Sequence, residues 1–299
     1  MSSDFKGIYP YIISPIDKNG EVMENALTAL VEHLIACGVH GITPLGSTGE
    51  FFYLNWEQKR RIVKIVVRTV NHRVPVIAGV ASASTDEAVF QAKTFEQMGV
   101  DGILGVLNVY FPLTQESIYQ YFKELAYSVN LPVVIYNNPK FSGFEIGVDT
   151  LLQLSRIPNV EYYKDASFNT GRLMSIMSQV GSQLKIFSAS AHVPTFVMQM
   201  GGVGWMSGPA CLIPRESVQL YELCRDKKWD EAIVLQKKLW KINTIFQKYN
   251  LAACVKAGLQ LQGFEVGDPI APNPSLSEDA IAEIRRTLSE VANSHITIR

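Results

Sequence analysis

The sequence predicts an α/β fold, a (β/α)8 TIM barrel with a C-terminal helical extension. Short apolar runs alternate with amphipathic helical stretches up to about Met206. These runs are apolar along their whole length, which is typical of parallel strands that are buried on both faces. The chain of 299 residues is also long enough for one barrel of about 250 residues and an extension.

Eight strands are predicted, with room for a helix between successive strands. Eight such units close naturally as a barrel. The alternative is an open doubly wound sheet, but its usual marker, G-x-G-x-x-G after the first strand, is absent. The predicted strands are Gly7–Ile13, Gly41–Pro44, Val74–Gly79, Gly102–Val106, Val133–Tyr136, Val160–Tyr163, Lys185–Ser188 and Gly202–Met206.

Helices are predicted where apolar residues recur at the spacing of one buried helix face. The first such set is Leu27, Leu30, Val31, Leu34 and Ile35, and the second is Ile62, Val63, Val66, Val67 and Val70.

The chain after the eighth predicted strand is helical. Pro214 at a first turn favours a helix over Pro214–Arg225. Three more are predicted, over Asp230–Lys248, Leu251–Gln262 and Ser277–Val291, with a proline-containing loop at Gly263–Pro274. We therefore expect the barrel to occupy residues 1–226 and the helical extension, residues 227–299, to pack on it.

Composition argues against several classes of function. The net charge of −1 provides no basic surface for nucleic acid. No segment approaches the roughly 20 apolar residues that span a membrane, and the N-terminus has no apolar signal core. The four cysteines are far apart and the five histidines show no ligand spacing, so we expect reduced thiols, a cytoplasmic protein and no metal.

Lys164 and Tyr136 lie at the carboxyl ends of two predicted strands, where barrels build their active sites. A neutral lysine forms a Schiff base with a ketone, and a phenol can transfer the protons. With a pKa of about 10.4, only about one lysine in a few thousand is neutral at pH 7, so burial has to lower the pKa. The alternatives are a solvent-exposed lysine and an aromatic residue at the barrel rim.

Two loops carry further candidates. Gly46-Ser47-Thr48-Gly49-Glu50 can present successive backbone N–H groups to an anion. Glu50 disfavours a phosphate and favours a single carboxylate. The alternative is a tight loop in which Ser47 or Thr48 caps a helix. Tyr110, in an aromatic loop with Pro112, is either a site residue or an oligomer contact.

Taken together, three motifs resemble the pyruvate-dependent class I aldolases of the dihydrodipicolinate synthase/N-acetylneuraminate lyase superfamily. The motifs are Gly46–Glu50, Tyr136-Asn-Asn-Pro139 and Tyr163-Lys164-Asp-Ala166, and the likeness extends to Gly201–Ser207 and the helical tail. It implies that Lys164 forms the Schiff base and that Tyr136 relays protons and orients the keto acid.

The resemblance also implies roles for residues outside these two strands. Ser47 would belong to the hydroxyl relay, and the Ser47 and Thr48 amides would hold the carboxylate. Tyr110 would reach the site of a neighbouring subunit, and Phe141 and Met206 would contact the substrate. The family further implies a homotetramer built as a dimer of dimers, a small-molecule 2-oxo acid with an aldehyde partner, and no cofactor, because the lysine imine is the electron sink.

Two departures bear on the substrate. Dihydrodipicolinate synthases carry a carboxylate-binding arginine where this chain has Phe141, with Lys140 adjacent. Sialic acid lyases carry an acidic pair where this chain reads Phe187-Ser-Ala-Ser-Ala-His192. The expected function is therefore a Schiff-base-forming lyase or aldolase that acts on pyruvate or a 2-oxo acid, by aldol cleavage, condensation or dehydration, for example of a 2-keto-3-deoxy sugar acid. The alternatives are dihydrodipicolinate synthase and a catalytically silent barrel with a binding or regulatory role.

Overall fold

The protein, represented by a computed structural model, is described for residues 4–189 and 192–291. It contains two compact units. The first consists of the described parts of Met1–Lys6 and Ile77–Met206, and the second of Gly7–Val76 and the described part of Ser207–Arg299.

Among the described residues there are seven strands, and nearly every residue in them is buried. Strand β1 begins the second unit, whereas β2 to β6 and all of β7 except Ser207 belong to the first unit. In the first unit the strands are parallel and ordered β7-β6-β5-β4-β3-β2. The strands are β1 Gly7–Pro10, β2 Ile77–Ser82, β3 Gly102–Leu107, β4 Val133–Asn137, β5 Val160–Asp165, β6 Lys185–Ser188 and β7 Gly204–Ser207.

The register between neighbouring strands determines which side chains can meet. Tyr136 on β4 pairs with Lys164 on β5, and Lys164 pairs with Phe187 on β6. Asn137 and Asp165 form the next pair toward the carboxyl ends. Because successive strand residues point to opposite faces, Tyr136 and Lys164 share one face, and Asn137 and Asp165 share the other.

Helices of the first unit follow the strands, and side chains cap several of their first turns. Ser84, Thr114 and Asn169 each accept a hydrogen bond from a backbone N–H of the helix that follows. Such caps satisfy N–H groups that have no partner inside the helix. The helices are Thr85–Gln97, Gln115–Tyr127, Pro139–Ser142, Val148–Leu154, Thr170–Val180 and Pro194–Gln199.

In the second unit, the predicted C-terminal helices are confirmed. Helix Trp229–Lys248 packs against helices Pro214–Arg225 and Glu278–Val291. Helix Glu278–Val291 also packs against helix Leu251–Leu261. The unit contains two earlier helices, Glu24–Ala36 and Trp56–Val70, which bury the apolar faces predicted for them, except that Ile35 and Val67 are half-buried. None of the helices in the described residues has the length and apolar character needed to cross a membrane.

The predicted strand Gly41–Pro44 is wrong as a continuous strand. The segment makes single bridges, Thr43 with Tyr11 and Ile42 with Val76. Pro44 has no N–H with which to extend the ladder, and Leu45 adopts a left-handed φ of 58°, which ends the extended backbone. The other predicted strands are present, although the first ends at Pro10 and not at Ile13. The third is shifted to Ile77–Ser82, and the sixth continues to Asp165. The eight-stranded barrel and the division at residue 226 stay predictions.

Candidate active site

Lys164 is a buried lysine beside an aromatic ring, as the sequence led us to expect. It lies within β5, and only 3% of its surface is exposed. Its Nζ is 4.2 Å from the centroid of the Tyr136 ring on β4. Burial lowers the pKa of Lys164 well below its ordinary value because a low-polarity environment disfavours the charged amine. The alternative of a solvent-exposed lysine is wrong, and the neutral nucleophilic form is favoured.

The Tyr136 side chain is likewise buried, with 6% of its surface exposed. Its phenol oxygen accepts a hydrogen bond of 2.8 Å from Nδ2 of Asn138. Asn138 immediately precedes the short helix Pro139–Ser142. The structure thus brings the predicted nucleophile and the predicted proton-transfer group together, and adds an amide that the sequence analysis did not single out.

A buried polar network centred on Asp165 occupies the opposite face of the same strands. The Asp165 carboxylate accepts hydrogen bonds from Asn137 Nδ2 at 2.6 Å and from the Tyr163 phenol at 2.8 Å. A guanidinium nitrogen of Arg172 and the ring Nε2 of His192 each lie 3.2 Å from a carboxylate oxygen of Asp165. Burial would raise the pKa of Asp165, but the hydrogen bonds and the positive charge of Arg172 outweigh it and lower the pKa.

This network joins several elements behind the candidate site. Arg172 on helix Thr170–Val180 also donates to the carbonyl of Ile146, and the Asn137 carboxamide oxygen accepts from the backbone N–H of Ile146. Burial, and then the Asp165 charge, raise the pKa of Tyr163 well above its ordinary value, so that phenol stays protonated. Sequence reasoning missed the network, although an acidic residue at the end of an apolar strand was a usable signal.

The turn Ser47–Gly49 in the second unit is built as a short 3₁₀ segment. Left-handed residues flank it, Leu45 with φ 58° and Glu50 with φ 54°. A Cβ atom on Gly49 would lie 2.9 Å from the carbonyl oxygen of Ile12, so the turn requires glycine there. The alternative of a capping role for Ser47 or Thr48 is wrong, because the following α-helix is capped by Asn55. Thr48 Oγ1 is buried and has no hydrogen-bond partner within residues 4–189 and 192–291.

Glu50 anchors this turn to the C-terminal region through a buried ion pair. Its Oε2 lies 2.7 Å from Nζ of Lys256, and each side chain is 1% exposed. Its Oε1 accepts hydrogen bonds from the Ile270 N–H at 2.8 Å and from Asn273 Nδ2 at 3.0 Å. Since Lys256 balances the charge of Glu50, Glu50 gives no charge argument for a carboxylate over a phosphate, and the preference for a carboxylate stays a prediction. Lys256 is the one charged residue of the helix Leu251–Leu261, which is apolar except for Gln260, and this was a signal that the sequence analysis did not use.

The remaining predicted residues differ in exposure. Tyr110 is 90% exposed and makes an edge-to-face contact with Phe111. Phe141 is 62% exposed on the helix Pro139–Ser142, with Nζ of Lys140 5.8 Å from its ring centroid. Met206 is fully buried in β7. Of the stretch between Phe187 and His192, residues Ser190 and Ala191 lie outside the described residues.

Comparisons with known proteins agree with these motifs. The model of the Dihydrodipicolinate synthetase family matches residues 4–291. The 4-hydroxy-tetrahydrodipicolinate synthase of Phenylobacterium zucineum is 33% identical over 280 residues, covering 94% of this chain and 95% of that protein.

Solved structures are similar over nearly the whole chain. The dihydrodipicolinate synthase DapA-2 of Bacillus anthracis has a TM-score of 0.92 at 30% identity, and the match covers 98% of this chain and 100% of that one. A prophage protein of the dihydrodipicolinic acid synthase family from E. coli K12, solved in complex with pyruvate, has a TM-score of 0.92 at 26% identity, with 97% and 99% covered.

Proposed function

Because the chain belongs to the dihydrodipicolinate synthetase family, whose members are pyruvate-dependent class I lyases and aldolases, we propose that it forms a Schiff base between Lys164 and pyruvate or another 2-oxo acid. The observation that carries the proposal is the buried Lys164 amine, whose pKa is lowered, against the Tyr136 ring. A lysine in this state is the nucleophile that class I chemistry needs.

In the proposed reaction, Nζ of Lys164 attacks the keto carbon and forms a carbinolamine, which loses water to give the imine. The imine draws electrons from the adjacent carbon, so a proton can leave that carbon and an enamine forms. Addition of the enamine to an aldehyde, followed by hydrolysis, gives the condensation product, and the reverse sequence gives cleavage. We assign the proton transfers to the Tyr136 phenol, which shares the strand face of Lys164.

The other roles implied by the family also belong to the proposal. We infer that Ser47 contributes to the proton relay, that the Ser47 and Thr48 amides hold the substrate carboxylate, and that Met206 contributes to substrate binding. The high TM-scores to family structures support a (β/α)8 barrel. No metal or organic cofactor is needed for this chemistry, and we expect a cytoplasmic protein.

A homotetramer is proposed because the family resemblance implies one, and the exposed aromatic loop at Tyr110 supports a site of association. Tyr110 and Phe111 are 90% and 73% exposed, and exposed aromatic patches are typical of association sites. Sedimentation at micromolar concentration tests this. A monomer with full activity would contradict it, whereas a tetramer whose Tyr110→Phe variant loses activity but not assembly would support a shared site.

For the substrate, we propose a 2-oxo acid whose far end is neutral or hydroxylated, such as a 2-keto-3-deoxy sugar acid. Phe141 cannot make the paired, charge-assisted hydrogen bonds with which arginine binds a carboxylate. The second candidate is 4-hydroxy-tetrahydrodipicolinate synthase, favoured by the names of relatives that are 30–33% identical. Lys140, beside Phe141, is the cation that could replace the arginine in that case.

Trapping with borohydride and pyruvate tests the central claim. We expect mass spectrometry to find the reduced pyruvyl adduct on Lys164 in the wild type and no adduct in Lys164→Ala. Lys93→Ala, which removes an exposed lysine from the helix Thr85–Gln97 of the same unit, is the matched control and should give the adduct on Lys164 as in the wild type. An adduct on another lysine, or no adduct, would exclude Lys164 as the nucleophile, and no adduct would also support the catalytically silent alternative. Turnover of 2-oxo acids with a panel of aldehydes then separates the two substrate candidates.

A further inference from the structure

The contact between Asn138 and Tyr136 has no role in the scheme above. The Asn138 amide nitrogen donates a 2.8 Å hydrogen bond to the Tyr136 phenol oxygen, and each residue is 6% exposed. Because both residues are buried, water competes weakly for these atoms. The bond therefore persists for as long as the backbone holds the two side chains in place.

The backbone around Asn138 is fixed by the short helix that follows it. Its carbonyl oxygen accepts hydrogen bonds from the backbone N–H groups of Phe141, at 2.9 Å, and Ser142, at 2.8 Å. The Ser142 hydroxyl donates to the same oxygen at 2.9 Å. Pro139 further restricts the conformation of the residue before it. The amide is thus aimed at the phenol before any substrate binds.

We propose that Asn138 is a positioning residue that orients the Tyr136 phenol for proton transfer and stabilises its ionised form. This inference rests on the proposed role of Tyr136. The Asn138 N–H occupies one lone pair of the phenol oxygen, so the phenol hydrogen is directed away from Asn138. A hydrogen bond also becomes stronger when its acceptor is ionised. Asn138 therefore helps Tyr136 to release a proton in one step and to take it back in the next.

The charged groups around Tyr136 can be assigned strand by strand. On β5, Lys164 lies against the ring. Strand β3, the other neighbour of β4, carries no titratable side chain. Arg172 and His192 each contact Asp165 in the network on the opposite strand face. After β4, Lys140 lies against Phe141.

Two substitutions distinguish hydrogen-bond donation by Asn138 from a role of its side chain in packing. Asn138→Leu keeps a similar side-chain volume but removes the amide. Asn138→Asp keeps the side-chain shape, but an ionised aspartate can only accept hydrogen bonds. The assay is exchange of the pyruvate methyl protons in deuterated water. For both variants we expect kcat to fall about three- to tenfold, the loss of one hydrogen bond, with KM for pyruvate nearly unchanged. The limb of the pH profile that Tyr136→Phe abolishes should move to higher pH.

The decisive measurement is a double-mutant cycle. If Asn138 acts through the phenol, Asn138→Leu should change exchange little in the Tyr136→Phe background. Asn159→Leu is the control, because the Asn159 amide binds only backbone carbonyls, of Ala126, Val129 and Leu131, among the described residues. It should lower stability without moving the pH profile.

Equal losses from Asn138→Leu in the two backgrounds would overturn the inference, as would wild-type exchange by Asn138→Asp or a pH limb that moves downward. If Asn138→Leu does not fold, Asn138→Asp decides the question. Borohydride trapping of each variant keeps the two proposals apart. Failure to trap the wild type refutes the Schiff base, whereas normal trapping without coupling between Asn138 and Tyr136 refutes only the role of Asn138.

Discussion

Replacing Lys256 by methionine should strongly destabilise the protein. The substitution keeps an unbranched chain but removes the amine that lies 2.7 Å from Oε2 of Glu50 and donates to the carbonyl of Asp268. Both ion-pair side chains are 1% exposed. In the variant, the Glu50 carboxylate stays buried with its two bonds from Ile270 and Asn273, but without its positive partner.

The size of the effect follows from this geometry. A charge left buried without its partner typically costs about 3–5 kcal/mol. At about 2–4 °C of melting temperature per kcal/mol in domains of this size, we expect the midpoint to fall by roughly 6–20 °C. Adding Glu50→Gln to Lys256→Met removes the stranded charge, so the double variant should recover most of the loss.

Urea unfolding of the wild type, both single variants and the double variant measures this coupling. The control is Lys241→Met, which removes a partner from the exposed pair between Lys241 and Glu290, 53% and 46% exposed. That change should leave the unfolding midpoint nearly unchanged, because solvent screens an exposed ion pair. A loss for Lys256→Met as small as the control's, or no recovery in the double variant, would refute our reading of the Glu50–Lys256 pair.

Three further predictions concern the candidate site. Lys164→Met should abolish borohydride trapping yet raise the free energy of unfolding, because it removes a buried amine. The folded-state pKa of Lys164 is below its ordinary value, so the wild type loses stability as pH falls from about 10 through the lowered pKa. Denaturant titrations should therefore show that the extra stability of Lys164→Met over the wild type shrinks toward alkaline pH. An extra stability that does not change with pH would be contrary evidence. Tyr136→Phe should lower kcat about 10²- to 10⁴-fold while circular dichroism stays unchanged, and activity within about threefold of wild type would exclude Tyr136 as the proton-transfer group. Because of Phe141, aspartate semialdehyde should be turned over roughly five- to two-hundred-fold less efficiently than a neutral or hydroxylated partner; efficient synthesis of the dihydrodipicolinate precursor would show that another cation replaces the arginine. Because the sequence has no acidic pair between Phe187 and His192, N-acetylneuraminate should be cleaved weakly.

The sequence by itself indicated the parallel strands, the helical tail and the proximity of Lys164 and Tyr136. Continuous apolar runs indicate buried strands because both faces are covered, so β3, β4 and β6 lie close to their predicted positions. Lysine and tyrosine chemistry, together with strand-end placement, identified Lys164 and Tyr136 as a pair before their distance was known. These inferences depend on local pattern, which a sequence carries directly.

Only the tertiary structure decided which polar groups meet. Asp165 and His192 are far apart in sequence, as are Glu50 and Lys256, and each pair is in contact only because distant segments are packed together. The lowered pKa of Lys164 likewise depends on burial by neighbouring strands, since a lysine in the unfolded chain is solvated. Residues 41–44 failed as a strand prediction for a related reason. All four residues are buried, as expected of a strand in a parallel sheet, but the left-handed backbone at Leu45 ends the segment after two single bridges.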